Sequence, residues 1–152
     1  MSEKLADIQY NFINLPSRIE FENGHVISYL YDADGIKLRT THIIGSDTTV
    51  TDYCGNVIYE NGIPVKLLTE AGYVTLADSK YHYFVQDHLG NNRVVVDQSG
   101  NVEEVNHYYP FGGLLSSSVS NAVQPYKYNG KELDRKNGLD WYDYGARMYD
   151  AA

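Results

Sequence analysis

Tyr31-Asp32-Ala33-Asp34-Gly35-Ile36-Lys37-Leu38-Arg39-Thr40-Thr41-His42-Ile43-Ile44-Gly45 is the stretch that decides the fold. Ile36, Leu38, Thr40, His42 and Ile44 alternate with Lys37, Arg39, Thr41 and Ile43. A period of two places one set of side chains on a core and the other toward solvent, which is a half-buried strand. Asp34-Gly35 before it and Gly45 after it are residues that enter positive φ cheaply, as tight hairpin turns require.

The same punctuation runs along the chain. Gly24, Gly35, Gly45 and Gly55 follow one another at steps of eleven, ten and ten, and Gly62–Gly72 and Gly90–Gly100 are again ten apart. Most stand beside Asn or Asp: Asn23-Gly24, Gly55-Asn56, Asn61-Gly62, Gly90-Asn91, Gly100-Asn101, Asn129-Gly130, Asn137-Gly138. Turn signals at this spacing indicate short strands joined by short loops. Thr48-Thr49-Val50-Thr51 and Val94-Val95-Val96 are β-branched runs, and Val102 to Tyr109 alternates. No segment of helical length has a 3.6-residue period; Ser2 to Asp7 could form one helical turn. The fold expected is all-β: a twisted antiparallel meander of β-hairpins, curled along its length or closed into a small barrel. An open strip exposes two edges, which invite pairing with another chain. Self-association through them is therefore expected.

Composition agrees. The 152 residues include 15 Tyr and 13 Gly against 4 Phe and 1 Trp. Tyr has an apolar face and a polar tip and suits half-buried strand positions. Four Tyr-x-Tyr pairs, Tyr29/Tyr31, Tyr81/Tyr83, Tyr126/Tyr128 and Tyr142/Tyr144, place each pair on one strand face. They read as an aromatic ladder within a sheet, or alternatively as a stacking platform for a ligand. A net charge of −8 opposes binding to nucleic acid or to an anionic membrane. No apolar run reaches membrane-spanning length. Met1 to Leu5 has neither a basic nor an apolar leader pattern, so no signal peptide is read there. Cys54 is the one cysteine, which excludes an internal disulfide and a multi-cysteine zinc site.

The chemistry-bearing residues read mostly as structure. Asp87 reads as a turn former bonding backbone amides, with His88 packed on a Tyr. His82 and His88 have no metal-ligand spacing. Ser116 to Ser118 lie in a stretch, Leu114 to Asn121, that reads as a mobile exposed loop, with no Gly-x-Ser-x-Gly elbow. Cys54 lies in a turn without a basic neighbour. Asp140, Asp143 and Asp150 read as turn caps or a solvated strand face. Lys131, Arg135 and Lys136, interleaved with Glu132 and Asp134, read as local salt bridging. No catalytic residue, cofactor or metal is expected.

Tyr31-Asp32 followed by Gly35 resembles the YD repeat. Asp87-His88-Leu89-Gly90-Asn91, Tyr109-Pro110-Phe111-Gly112, Tyr126-Lys127-Tyr128-Asn129-Gly130-Lys131-Glu132, Gly138-Leu139 and Arg147-Met148-Tyr149-Asp150 resemble the RHS-repeat-associated core. The resemblance runs from about Tyr10 to Asp150. It implies YD-repeat hairpins over residues 1–80 and a core-like region over 81–152. It also implies a bacterial protein, secreted or on the cell surface, whose hairpin strip spirals into a hollow shell around a C-terminal toxin. Members often cleave themselves, but the Asp-Pro-x-Gly-Leu-like cleavage site does not occur in this sequence, so that activity is not carried over. On this resemblance the chain is a piece of a longer shell or a short relative. Its partners are neighbouring repeats and an enclosed effector, and its role is structural. The alternative is a carbohydrate-binding or adhesion module in which Tyr81 and Tyr83 stack on a sugar.

Overall fold

The computed structural model describes residues 4–119 and 124–151. Eleven strands follow in chain order: β1 (Leu5–Tyr10), β2 (Pro16–Phe21), β3 (Val26–Tyr31), β4 (Lys37–Ile44), β5 (Asp47–Cys54), β6 (Val57–Glu60), β7 (Ile63–Thr69), β8 (Gly72–Thr75), β9 (Lys80–Gln86), β10 (Asn92–Asp97) and β11 (Val102–Val105). They form one antiparallel sheet in which the spatial order is the sequence order. Three short strands, β12 (Glu132–Asp134), β13 (Trp141–Asp143) and β14 (Met148–Asp150), form a second sheet. The expected all-β meander is therefore present. The barrel is not: β1 and β11 stand at opposite ends of the strand order and the sheet stays open. The small sheet packs on its inner face along β1 to β5 rather than the sheet closing on itself.

The helical turn expected over Ser2 to Asp7 does not form where it is described. Leu5 and Asp7 are already in β1, paired with Phe21 and Glu20; Ser2 and Glu3 lie outside the described residues. The large sheet continues across residue 80, with Thr75 of β8 paired to Lys80 of β9.

Two kinds of turn make the ruler. Two-residue loops join β4–β5, β5–β6, β6–β7 and β7–β8. Asn61 (φ 50°) and Gly62 (φ 80°) show the paired positive φ of a type I′ turn. Four of the longer turns, those after β1, β3, β9 and β10, share one device. The Asp32 carboxylate accepts hydrogen bonds from the Asp34 and Ile36 amides, both at 2.9 Å. Asp87 does the same for Leu89 and Asn91, and Asp97 for Ser99 and Asn101. Gly35, Gly90 and Gly100 then take the left-handed conformation three residues on. Asn11 repeats the pattern with Asn14 in the glycine place. The Asp-x-x-Gly motif is thus a self-contained turn, its side chain replacing the backbone acceptors a hairpin loop lacks.

The core lies between the two sheets. Ile19, Phe21, Ile27 and Tyr29 of β2 and β3 pack against Leu139, with Ile8, Tyr31, Trp141 and Met148 around them. Alternation continues into β4, where Thr40 and His42 are the buried positions. There the inner face turns polar, and the small sheet meets it with charge.

Candidate functional site

The sequence motifs meet in space. Tyr109 to Gly112 forms a turn closed by bonds from the Gly112 amide to the Tyr109 carbonyl and from the Tyr109 amide to the Gly113 carbonyl. Its three carbonyls at Pro110, Phe111 and Gly112 accept hydrogen bonds from the hydroxyls of Tyr128, Tyr149 and Tyr142, at 3.2, 2.7 and 2.8 Å. Gly112 (φ 95°) has no room for a side chain: a Cβ there would lie 2.6 Å from the Tyr128 ring. Tyr108, Tyr128, Tyr142, Tyr149 and Tyr144 form a continuous run of ring contacts with centroids 5.7 to 6.4 Å apart. One member of each Tyr-x-Tyr pair of this region, Tyr128 and Tyr142, therefore joins Tyr149 in a clasp around one turn. Phe111 itself is exposed.

A second junction joins the Asp87–Asn91 turn to the Tyr128–Gly130 turn. The Asn129 amide donates to Asn91 Oδ1 at 2.8 Å and its side chain donates to the Leu89 carbonyl at 3.0 Å. Gly130 sits against the Gly90 carbonyl. Asp87 bonds backbone amides as expected, while His88 and Leu89 are exposed at the turn tip. Gly138 closes the turn before Leu139, which enters the core. Arg147 and Asp150 are exposed, and Tyr31 is half-buried beside Tyr29.

The third junction is a charged seam that sequence reasoning missed. Lys37 of β4 lies 2.6 Å from Glu132 and 2.7 Å from Asp143. Glu132 also accepts from the Tyr53 hydroxyl at 2.7 Å. Asp134 accepts from Tyr29 Oη at 3.0 Å and faces His42 Nε2 at 3.0 Å. Burial opposes the charge of Lys37, but the two carboxylates outweigh it and hold its pKa above the ordinary lysine value. Burial likewise opposes ionisation of Asp134, yet His42, the Lys136 amide and Tyr29 hold its carboxyl below the usual range. The expected local bridging within Lys131–Lys136 is thus corrected. Glu132 and Asp134 reach across to the large sheet, and Arg135 pairs with Asp140. Asp143 combines its bond to Lys37 with a cap on the Gly145 amide.

Because Asp134 is depressed in the folded chain, its contribution to stability is complete above the unfolded carboxylate pKa, ~4. It is lost as pH falls through the lower folded value. Thermal midpoints across pH 2 to 7 should show the wild type losing its advantage over Asp134→Asn in acid. A constant difference at every pH would contradict this assignment.

Two further expectations change. The Leu114–Asn121 stretch is docked, not free, over its described part: Val119 pairs with Val105, and Ser118 bonds both backbone groups of His107. Ser120 and Asn121 lie outside the described residues. Tyr81 and Tyr83, in contrast, stand on the same face of β9 and are 50% and 42% exposed. Cys54 is exposed beside its turn. Among the described residues no group of three or more His, Cys, Asp and Glu is placed to hold a metal ion. No described helix is long and apolar enough to cross a membrane.

An open antiparallel meander braced on its inner face by a small tyrosine-rich sheet is the fold class these junctions define. No family model matches the sequence, and no curated protein matches it. Solved structures containing TccC3, an RHS-repeat protein of the Tc toxin, share the fold. The Photorhabdus luminescens Tc holotoxin pore carrying TccC3-D651A superposes with a TM-score of 0.77 at 18% identity, over 95% of this chain and 8% of that one. TcdB2-TccC3 gives 0.75 at 17%, over 99% and 9%. TcdB2-TccC3 without its hypervariable C-terminal region gives 0.75 at 18%, over 99% and 8%. The likeness is one of fold, and the chain spans less than a tenth of the length of those chains.

Proposed function

We propose that this chain is a braced wall segment of a larger RHS-type β-shell that encloses or displays a C-terminal effector of the polymorphic-toxin kind. The observation that carries the reading is the strand order β1 to β11, each strand beside its neighbour in sequence. Further hairpins can be added at either end of such a strip without rearranging it. The fold likeness to a stretch of far longer chains supports it, as does the hypervariable C-terminal region of TcdB2-TccC3, which one of those structures leaves out. The work is mechanical: hairpins build the wall, and the tyrosine clasp and charged seam hold the inner sheet against it. No residue turns over a substrate, and the charged groups of the seam serve as fasteners. The partners are neighbouring repeats of a longer bacterial parent and the effector, and the parent acts outside the cell or at its surface.

Limited proteolysis of the full-length parent tests this. The strip and the region it encloses should persist together as one resistant body. Digestion of the effector region at the rate of an unshielded protein would overturn the reading. The exposed Tyr81 and Tyr83 carry the second reading, a sugar-stacking face. A glycan-array signal lost in Tyr81→Ser and Tyr83→Ser would favour it, and a blank array would leave the wall segment alone.

A further inference from the structure

A deeply buried polar cluster lies outside the seam. Glu104 on β11 and Lys127 are each 2% exposed, and Asn106 is fully buried. Glu104 Oε1 stands 2.5 Å from Lys127 Nζ and accepts from Asn106 Nδ2 at 2.5 Å. The two nitrogens are therefore at most twice that distance apart. Among the described residues Lys127 Nζ has no other acceptor, and Asn106 Oδ1 is buried without a hydrogen-bond partner. Gln124 donates to the same glutamate oxygen at 2.8 Å, and its own carbonyl is taken by the Tyr126 amide. Around them Asn106 also donates to the Asn92 carbonyl, and Asn92 Nδ2 donates to the Tyr126 carbonyl. The ends of the three side chains are held in place by the fold.

We propose that Lys127 and Asn106 form an intramolecular isopeptide bond, with Glu104 as the proton carrier between them. An ammonium must lose a proton before it can act as a nucleophile, and a desolvated lysine does so most readily. Burial pushes the Lys127 pKa down, with Glu104 opposing the shift. Glu104 takes one proton from Lys127. The free amine attacks Cγ of Asn106, and the Cγ–Nδ2 bond breaks. The second proton leaving Nζ passes through Glu104 to Nδ2, which departs as ammonia. The first proton then leaves Glu104 with it, as ammonium. One C–N bond forms and one breaks, and no oxidant or reductant is needed. Asn106 is the electrophile rather than Gln124 because its carbonyl is uncommitted. The product ties the end of β11 to the segment leading into the tyrosine clasp, closing a loop that contains the serine run. A cross-link of that kind restricts the unfolded chain as a disulfide does, without needing a second cysteine.

The test is mass spectrometry on the purified, unfolded full chain. The expected mass is below the sequence mass by one ammonia, and a tryptic digest should yield one branched peptide joining Asn106 to Lys127. Glu104→Gln and Lys127→Arg should each restore the full mass and abolish the branched peptide. Asn106→Asp should re-form the link with loss of water. A full, unlinked mass in the folded wild type would overturn the proposal. So would an ammonia loss without the branched peptide, which is succinimide formation at an Asn-Gly turn, or a link to Gln124. The result does not depend on whether the chain is part of a shell.

Discussion

Gly72→Ala is expected to disrupt the large sheet at its centre and to cost about 3–5 kcal/mol, the range reserved for severe packing conflicts. Gly72 opens β8, with Thr69 of β7 on one side and Tyr83 of β9 on the other. A Cβ built there would lie 1.9 Å from the His82 carbonyl oxygen, 2.9 Å from its carbon and 3.0 Å from Tyr83 Cα. All three are backbone atoms, so no rotamer change relieves the clash; β9 must move away. That movement would break the Phe84 amide bond to the Ala71 carbonyl, 2.8 Å long, and pull His82 from its stack on Tyr73. A domain with a total stability of about 5–15 kcal/mol does not absorb such a loss easily. Gly24→Ala provides the comparison. Gly24 has positive φ but open space around its Cα, so its substitution should cost about 1 kcal/mol. Urea denaturation of both variants decides it. If Gly72→Ala unfolds within about 1 kcal/mol of Gly24→Ala, β9 is not held where the structure puts it.

Gly72 also shows what the sequence could and could not reveal. The ten-residue spacing assigns it to a turn, yet it is a strand residue required by close approach of a neighbouring backbone. The two uses of glycine look alike in a sequence because both depend only on the missing Cβ. The turns themselves were legible because their chemistry is local: Asp32, Asp87 and Asp97 each bond amides within four residues. The alternation in β4 was legible only at its middle: Thr40 and His42 are buried, whereas Ile36, Leu38 and Ile44 of the same set are exposed. It could not say what would face Thr40 and His42. Their partners are far off in the chain, Asp134 lying 92 residues from His42 and Glu132 95 from Lys37. A carboxylate in Lys131–Lys136 has basic neighbours on either side, so local pairing was the natural inference. The fold overrides it because Glu132 and Asp134 point along one face of a three-residue strand toward the large sheet. The tyrosine excess was half legible. A strand ladder was expected, whereas three hydroxyls converge on the carbonyls of one turn, a use of the polar tip that residue counts do not reveal.

The seam makes Lys37→Met the substitution with the second large effect. Lys37 is 10% exposed in its side chain, and Glu132 and Asp143 are 19% and 17% exposed. Its ammonium also lies 4.9 Å from the centre of the Tyr53 ring. Methionine matches the length of the stem and keeps its packing, so the change isolates the charge. What remains is two carboxylates, shielded from water, with their shared cation gone. Breaking a buried pair from one side costs about 3–5 kcal/mol, because the abandoned charge stays desolvated. Partial exposure of these groups places the expectation at the lower end, about 3 kcal/mol. Adding Glu132→Gln and Asp143→Asn to Lys37→Met removes both orphan charges and should recover most of the loss at neutral pH. Hydrogen exchange locates the damage: amides of β12 to β14 should lose protection before those of β8 to β10, because the seam fastens the small sheet and not the strip. A Lys37→Met variant as stable as wild type at pH 7 would mean that Lys37 does not hold the two sheets together.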